Sequence, residues 1–275
     1  GPDSAETRAR MVDILKSAQK TGRMAIAEAL NRRPMAAHEA TRSYSWLTDC
    51  LVQTVLRFAT EQVHPLSTPT DSERIAVFAV GGYGRGEMAP QSDVDLLFLT
   101  PYKVTPWAES VIETTLYALW DLKLKIGHAS RTVKECIRLA GDDFTIRTAL
   151  LENRFIFGDE PLAETLREKL RTDLFEGTAR EFIEAKLAER DTRHIKQGAR
   201  YKVEPNVKEG KGGKRDLQSL FWISKYLYQV DRVRDLIDHG MLTEEEFDRF
   251  AEAENFLWAT RCHLHLSTGR AAEQL

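Results

Sequence analysis

The chain has 275 residues, a length that suggests two domains at roughly 150 residues each. With 29% charged and 42% hydrophobic residues it has an ordinary globular make-up, which excludes wholesale disorder, and no apolar run approaches the ~18 residues of a membrane span. The 39 basic and 42 acidic residues leave a net charge of −3, so no overall basic field favours nucleic acid or an anionic membrane as partner. Any phosphate binding has to be local.

Cys50, Cys136 and Cys262 are odd in number and far apart. They match neither a disulfide framework nor a zinc site and point to a reducing cytoplasm. Gly1-Pro2-Asp3-Ser4 lacks the basic and apolar parts of a secretory signal, and Gly1-Pro2 is compatible with a cleavage scar. His263 and His265 stand two apart in helical sequence and do not share a face, which favours a structural reading over metal ligation.

Residues 5–63 are rich in Ala, Glu, Arg, Met and Leu, with Leu47, Leu51, Val55 and Phe58 at helical spacing. Pro34 divides the stretch into two expected helices. The run His64-Pro65-Leu66-Ser67-Thr68-Pro69-Thr70 makes a connector. Ile75-Ala76-Val77-Phe78-Ala79-Val80 reads as a buried strand running straight into Gly81-Gly82-Tyr83-Gly84-Arg85-Gly86. After the turn-like Ala89-Pro90-Gln91-Ser92, a second strand is expected over 93–99. The pattern then predicts a helix over 107–120, a strand over 122–126, helices over 133–139 and 144–150, and a strand over 152–157.

From Leu162 onward the chain reads as helical, interrupted at 204–216, where Pro205, Gly210, Gly212 and Gly213 exclude a helix interior. Helices are expected over 217–230 and 244–266, with Phe221, Trp222, Tyr226, Phe256 and Leu257 as core stripes. The fold class is therefore α+β. A mixed-sheet core over 71–160 is flanked by an N-terminal helical segment, 1–70, and a C-terminal helical bundle, 161–275.

One segment stands above background. Asp93 and Asp95, two apart on a strand, project from the same face, and carboxylates held that close repel unless a cation sits between them. Mg²⁺ answers this, since it typically takes one or two carboxylates together with substrate phosphates. Gly81-Gly82 lets the backbone approach a phosphate and aim N–H groups at it, and Arg85 can add a charge-assisted contact. Ser92, just before the acidic pair, joins these as a candidate nucleotide contact. Together the residues suit metal-assisted transfer at a nucleotide phosphate. Each feature alone has a bland reading, a plain turn or a surface strand. A dinucleotide-binding fingerprint is rejected because Met88-Ala89-Pro90 leads into a strand, and a Walker A loop because Gly-Lys-Ser/Thr is missing.

Gly81-Gly82 followed by Asp93-Val94-Asp95 resembles the DNA-polymerase-β-type nucleotidyltransferase superfamily. The longer string Gly81–Glu87 with Ser92–Leu97 is similar to the bacterial uridylyltransferase/uridylyl-removing family that acts on the nitrogen-signalling protein PII. So are Trp120-Asp121-Leu122, Gly127-His128-Ala129-Ser130-Arg131-Thr132, Leu151-Glu152-Asn153-Arg154 and the loop at 204–216; the likeness spans roughly 75–275. The resemblance implies an enzyme that moves UMP from UTP to a PII tyrosine hydroxyl and releases pyrophosphate. Gly81 and Gly82 would contact the triphosphate and Asp93 and Asp95 would hold Mg²⁺. It also implies an HD hydrolase domain and ACT domains beyond this chain, so that UMP removal and glutamine control are expected to be missing here.

The superfamily usually adds a third carboxylate. Asp121, at a helix end, reads as structural, and His128 cannot replace a carboxylate on a hard metal. Glu152, in a strand-like run and sharing a face with Arg154 and Ile156, is the expected third acid and metal ligand, against a salt bridge to Arg154. In the loop at 204–216, Lys208, Lys211 and Arg215 either face solvent or meet the triphosphate or an acidic patch on PII. Lys214 departs from the family pattern, in which an apolar residue is commoner. Two other functions compete with uridylylation of PII. One is nucleotidylation of another protein or from ATP; the other is a nucleotide-binding regulatory module with little catalysis.

Overall fold

The computed structural model describes residues 4–198 and 204–275. Gly1, Pro2 and Asp3, and the helix expected to continue through 199–203, lie outside the described residues. Two compact units form: residues up to 28 with 41–88 and 92–173, and residues 29–40 with 89–91 and 174–275.

The chain opens with helices α1 (Ser4–Arg32) and α2 (Ala37–Arg57), parted at Pro34 as expected, and a π-helical turn (Phe58–Val63). Strand β1 (Ala76–Ala79) runs into a single helical turn, α3 (Gly81–Gly84), and then β2 (Val94–Thr100), α4 (Pro106–Asp121) and β3 (Ile126–Thr132). Helices α5 (Val133–Asp142) and α6 (Phe144–Leu151), strand β4 (Arg154–Gly158), α7 (Glu160–Lys169) and a second π-helical turn (Leu170–Phe175) follow. The sheet is four-stranded in the order β3-β2-β1-β4, with β2 and β3 parallel and the β1 pairings antiparallel.

One core unites the N-terminal helices with the sheet. Val12, Leu15, Leu51, Val55 and Leu56 share a buried cluster with Val77, Val94, Leu96, Phe98 and the α4 residues Val111 and Leu119. Burying that apolar surface is the main driving force for joining them. Residues 4–28 and 41–70 thus share their unit with the sheet. The other sheet face meets α5 and α7.

Three expectations are corrected. The strand placed at 122–126 begins only at Ile126, because Leu122 caps α4 and Lys123 takes a left-handed φ of 60°. The strand placed at 152–157 begins at Arg154, because Glu152 is the residue that ends α6. Lys214, Arg215 and Asp216 belong not to the loop but to the first turn of the next long helix.

The second unit is helical, with α8 (Ala179–Gln197), α9 (Lys214–Tyr228), the short α10 (Asp235–Asp238) and α11 (Glu244–Thr268). Phe182 stacks on Tyr226 at 4.0 Å, and Trp222 is buried. Phe256, expected inside, is 60% exposed; Trp258, two positions on, takes the buried place on α11.

Candidate functional site

The site is built where β1 ends. Val80 donates its N–H to the Asp95 carbonyl at 3.0 Å, tying the end of β1 to the start of β2. The chain then turns at once: Gly81 takes φ +58°, open to glycine at no steric cost, and Gly84, Arg85 and Gly86 donate back to Val80, Gly81 and Tyr83. This places Gly81 beside the acidic strand, with Asp95 Oδ2 3.7 Å from where a Cβ on Gly81 would stand.

Asp95 itself lies on β2, opposite Gly127 of β3, and is half-buried. Its Oδ1 occupies the space a Gly127 side chain would need, 2.3 Å from the Cβ position. Asp93 is exposed and stands one residue before β2 begins, not on the strand expected over 93–99, so strand alternation does not set its side chain on the face of Asp95; Ser92, partly buried, stands two residues before the strand. The pleat turns Asp95 away from the face that holds Val94 and Leu96 in the core. His128 pairs with Leu96 in register, so it belongs to that opposite face, and its ring meets Trp120 at 6.5 Å. Asp121 accepts from Arg8 at 2.7 Å.

Two guanidinium–carboxylate pairs frame the glycine turn. Arg85 donates through Nη1 to both oxygens of Glu152, at 2.8 and 2.7 Å, and its Nη2 stands 3.4 Å from a Cβ position on Gly82. Glu152 is only 3% exposed. Arg154, the partner expected for Glu152, instead binds Asp49 at 2.7 and 3.0 Å and donates to the carbonyls of Tyr83 at 3.2 Å and Gly84 at 3.3 Å. A buried carboxylate is stable only when paired, and each acid here has an arginine. Tyr83 lies within this frame, its phenol held well above the usual value by burial and by the nearby Asp49 charge.

The structure thus brings Gly81, Gly82, Arg85, Asp95 and Glu152 together in one unit. Among the described residues no three His, Cys, Asp or Glu side chains group closely enough to hold a metal. Mg²⁺ needs only one or two carboxylates beside substrate phosphates, and at the start of β2 the carboxylates that would supply them are those of Asp93 and Asp95. The place of Gly127 against Asp95, and Asp49 as the partner of Arg154, escaped the sequence reading. The signal for Gly127 was a glycine inside a strand pattern, the mark of a close approach by another group.

In the helical unit, Lys208, Lys211 and Arg215 occupy or border a tightly bonded loop. Asn206 Oδ1 accepts from the N–H groups of Lys208 and Glu209 at 3.0 and 2.7 Å, and Lys214 and Arg215 donate back to Val207 and Lys208. Arg215 binds Glu209 at 3.2 Å and lies over the Trp222 ring, while Lys211 is exposed. Lys208 is pushed below its usual pKa, first by burial and then by the charges of Arg261 and Arg215. Lys214 is buried with its ammonium 3.7 Å from the Trp258 ring centre, which lets a cation stand where an apolar residue is expected. His265 is buried and accepts from the Gln91 N–H, and His263 meets the Pro34 carbonyl; neither joins a metal group.

A mixed sheet, a glycine turn leaving its first strand and an acidic pair entering the second define a nucleotidyltransferase-type core. Comparison with known proteins takes this further. A family model for GlnD PII-uridylyltransferase matches residues 181–275, and one for glutamate-ammonia ligase adenylyltransferase matches residues 3–124. Bifunctional uridylyltransferase/uridylyl-removing enzymes are similar along nearly the whole chain. The one from Ruegeria pomeroyi is 63% identical over 273 residues, 99% of this chain, and that from Cereibacter sphaeroides 59% over 277 residues, 100% of it. The Erythrobacter litoralis enzyme is 49% identical over 98% of the chain. The chain spans about 30% of the length of these curated relatives. It belongs to the bifunctional uridylyltransferase/uridylyl-removing enzyme family and corresponds to one part of such an enzyme. Among the described residues no helix is long and apolar enough to cross a membrane.

Proposed function

We propose that this chain moves UMP from UTP to a tyrosine hydroxyl of PII and releases pyrophosphate, working in the cytoplasm. The observation that supports it most is the Asp95 carboxylate beside the Gly81 turn, in a chain 63% identical to a uridylyltransferase/uridylyl-removing enzyme. In this reaction the phenol oxygen bonds to the α-phosphorus of UTP and loses its proton, while the bond from that phosphorus to the β-phosphate oxygen breaks. A phenol, with a pKa near 10, is a poor nucleophile at neutral pH. Catalysis therefore rests mainly on positioning and charge stabilisation, as in phosphoryl transfer generally.

The chain's own residues divide that work. The Gly81 and Gly82 N–H groups, with Arg85 and Ser92, are assigned to the triphosphate. Asp93 and Asp95 are assigned to Mg²⁺, which when bound draws charge from the reacting phosphate. Exposed Asp93 and half-exposed Asp95 leave the pair reachable by a solvated ion. Lys208, Lys211 and Arg215 are assigned to anion contacts, either phosphate or an acidic patch on PII. An anion would relieve the crowding that Arg261 and Arg215 impose on Lys208.

A second reading has its own support, the adenylyltransferase model matching residues 3–124: the same core would then donate AMP from ATP. Incubation with Mg²⁺, labelled UTP or ATP, and PII separates them. Label on PII from UTP, abolished in Asp95→Asn, is expected. Label from ATP alone, or none on PII from either nucleotide, refutes the uridylyl reading. The metal-free Asp95→Asn protein should melt at the same or a higher temperature, because one of two repelling charges is gone.

A further inference from the structure

We infer that Glu152 is a positioning residue for Arg85, and that through this pair the buried end of α6 sets how tightly the Gly81–Gly82 turn holds a nucleotide phosphate. This rests on the nucleotidyl-transfer reading and gives Glu152 work other than holding metal.

The geometry argues it in three steps. First, the carboxylate is spoken for. Both Glu152 oxygens accept from Arg85 Nη1, at 2.8 and 2.7 Å, inside a pocket where the residue is 3% exposed. A divalent cation on the same carboxylate would stand beside a guanidinium, and like charges in a buried setting repel strongly. Second, Glu152 is tied to the turn through its backbone. A Cβ on Gly84 would overlap the Glu152 carbonyl oxygen, so the end of α6 and the glycine turn are in direct contact. Third, the guanidinium reaches across. Its Nη1 is fixed on Glu152 while Nη2 lies 3.4 Å from the Cβ position of Gly82, on the step assigned to phosphate. A planar guanidinium bonded to Glu152 through Nη1, with Glu87 3.8 Å from its Nε, has lost most of its rotamer freedom before ligand arrives, so less is lost when phosphate binds.

Charge and geometry make opposite forecasts, which renders the inference testable. Glu152→Gln removes a negative charge near the phosphate, and charge alone would tighten UTP. Loss of positioning would weaken it. The test measures UTP affinity, the KM and kcat of transfer, and the Mg²⁺ concentration giving half-maximal rate, on parent, Glu152→Gln, Glu152→Asp and Arg85→Lys. Thermal midpoints show which variants fold. Positioning predicts that Glu152→Gln and Glu152→Asp weaken UTP about tenfold or more, the worth of one charged hydrogen bond. The rise should fall on KM more than on kcat, the Mg²⁺ requirement should stay unchanged, and Arg85→Lys combined with Glu152→Gln should be no worse than either alone. If the Glu152 variants fail to fold, Arg85→Lys alone reads the same loss of affinity at unchanged Mg²⁺ requirement. UTP binding that is unchanged or tighter in Glu152→Gln overturns the inference, as does a raised Mg²⁺ requirement with affinity intact. Because affinity is read without PII, weakened binding supports the positioning role even if no UMP reaches PII.

Discussion

Gly127→Ala probes the acidic strand from its neighbour β3. Gly127 faces Asp95 across the parallel β2–β3 pair and is not among the glycines with positive φ, so alanine is allowed by the backbone. The new Cβ would stand 2.3 Å from Asp95 Oδ1, against the 3.4 Å at which ordinary contact begins, so the carboxylate must retreat by the 1.1 Å between them. A misplacement of about 1 Å near reacting atoms costs on the order of 10²-fold in rate. That corresponds to about 2.7 kcal/mol of barrier. The effect on stability is smaller: overpacking costs about 1–3 kcal/mol, and replacing glycine in a strand returns about 0.5–1 kcal/mol. The assay is UMP transfer to PII at saturating UTP across a Mg²⁺ titration, beside thermal melting. A folded variant with a rate within about threefold of the parent, a barrier change under ~1 kcal/mol, would refute the claim that Asp95 needs its present place.

Three further perturbations test other parts of the structure. Asp49→Asn takes the carboxylate from Arg154 and should cost about 1.5–3 kcal/mol, near the lower figure because the Arg154 side chain is 33% exposed. An unchanged melting midpoint would show that this pair does not brace the turn. Glu273 is opposed by burial but drawn down by hydrogen bonds from His265 and Arg261, from 4.5 to about 2. Its folded pKa lies below its unfolded one, so its contribution is complete above pH 4.5 and is lost as pH falls toward 2. Glu273→Gln should flatten the melting-versus-pH curve across that window, and parallel curves for parent and variant would contradict it. Burial pushes the Cys136 and Cys262 thiols up to about 12, whereas Cys50 is only partly buried. A thiol reagent at mild alkaline pH should therefore modify Cys50 first in the native protein, and equal modification of all three would be inconsistent with the packing.

What sequence reasoning could and could not reach follows from the range of the forces involved. The helices at either end, β1 and β2 are legible because periodicity and turn residues act locally. Helix α4 carries its start in plain view: Thr105 accepts from the Ala108 N–H, and Pro106 opens the helix. Strand β3 is misplaced by four residues because Leu122, Lys123, Leu124 and Lys125 alternate like a strand, yet the chain needs them to leave α4 through a left-handed residue. Phe256 and Trp258 show the same limit on a helix, since composition alone does not say which of two aromatics faces the core.

Glu152 is the instructive case, because the sequence sets it beside Arg154 and the structure pairs it with Arg85. Strand parity from 152 to 156 would set Glu152 beside Arg154, but Asp143 caps α6 and carries the helix through Leu151, which removes Glu152 from the strand and swings it to the turn. Each arginine then takes the acid that tertiary contact provides, Arg85 with Glu152 and Arg154 with Asp49, over separations of 67 and 105 residues. Both pairs end on the same six-residue turn, one through a side chain and one through backbone carbonyls. A glycine turn that must bend at Gly81 and admit a neighbour's backbone at Gly84 has only two side chains of its own with which to stiffen, Tyr83 and Arg85. The stiffness comes from the arginines. A turn left loose would spend binding energy on ordering itself each time phosphate arrived.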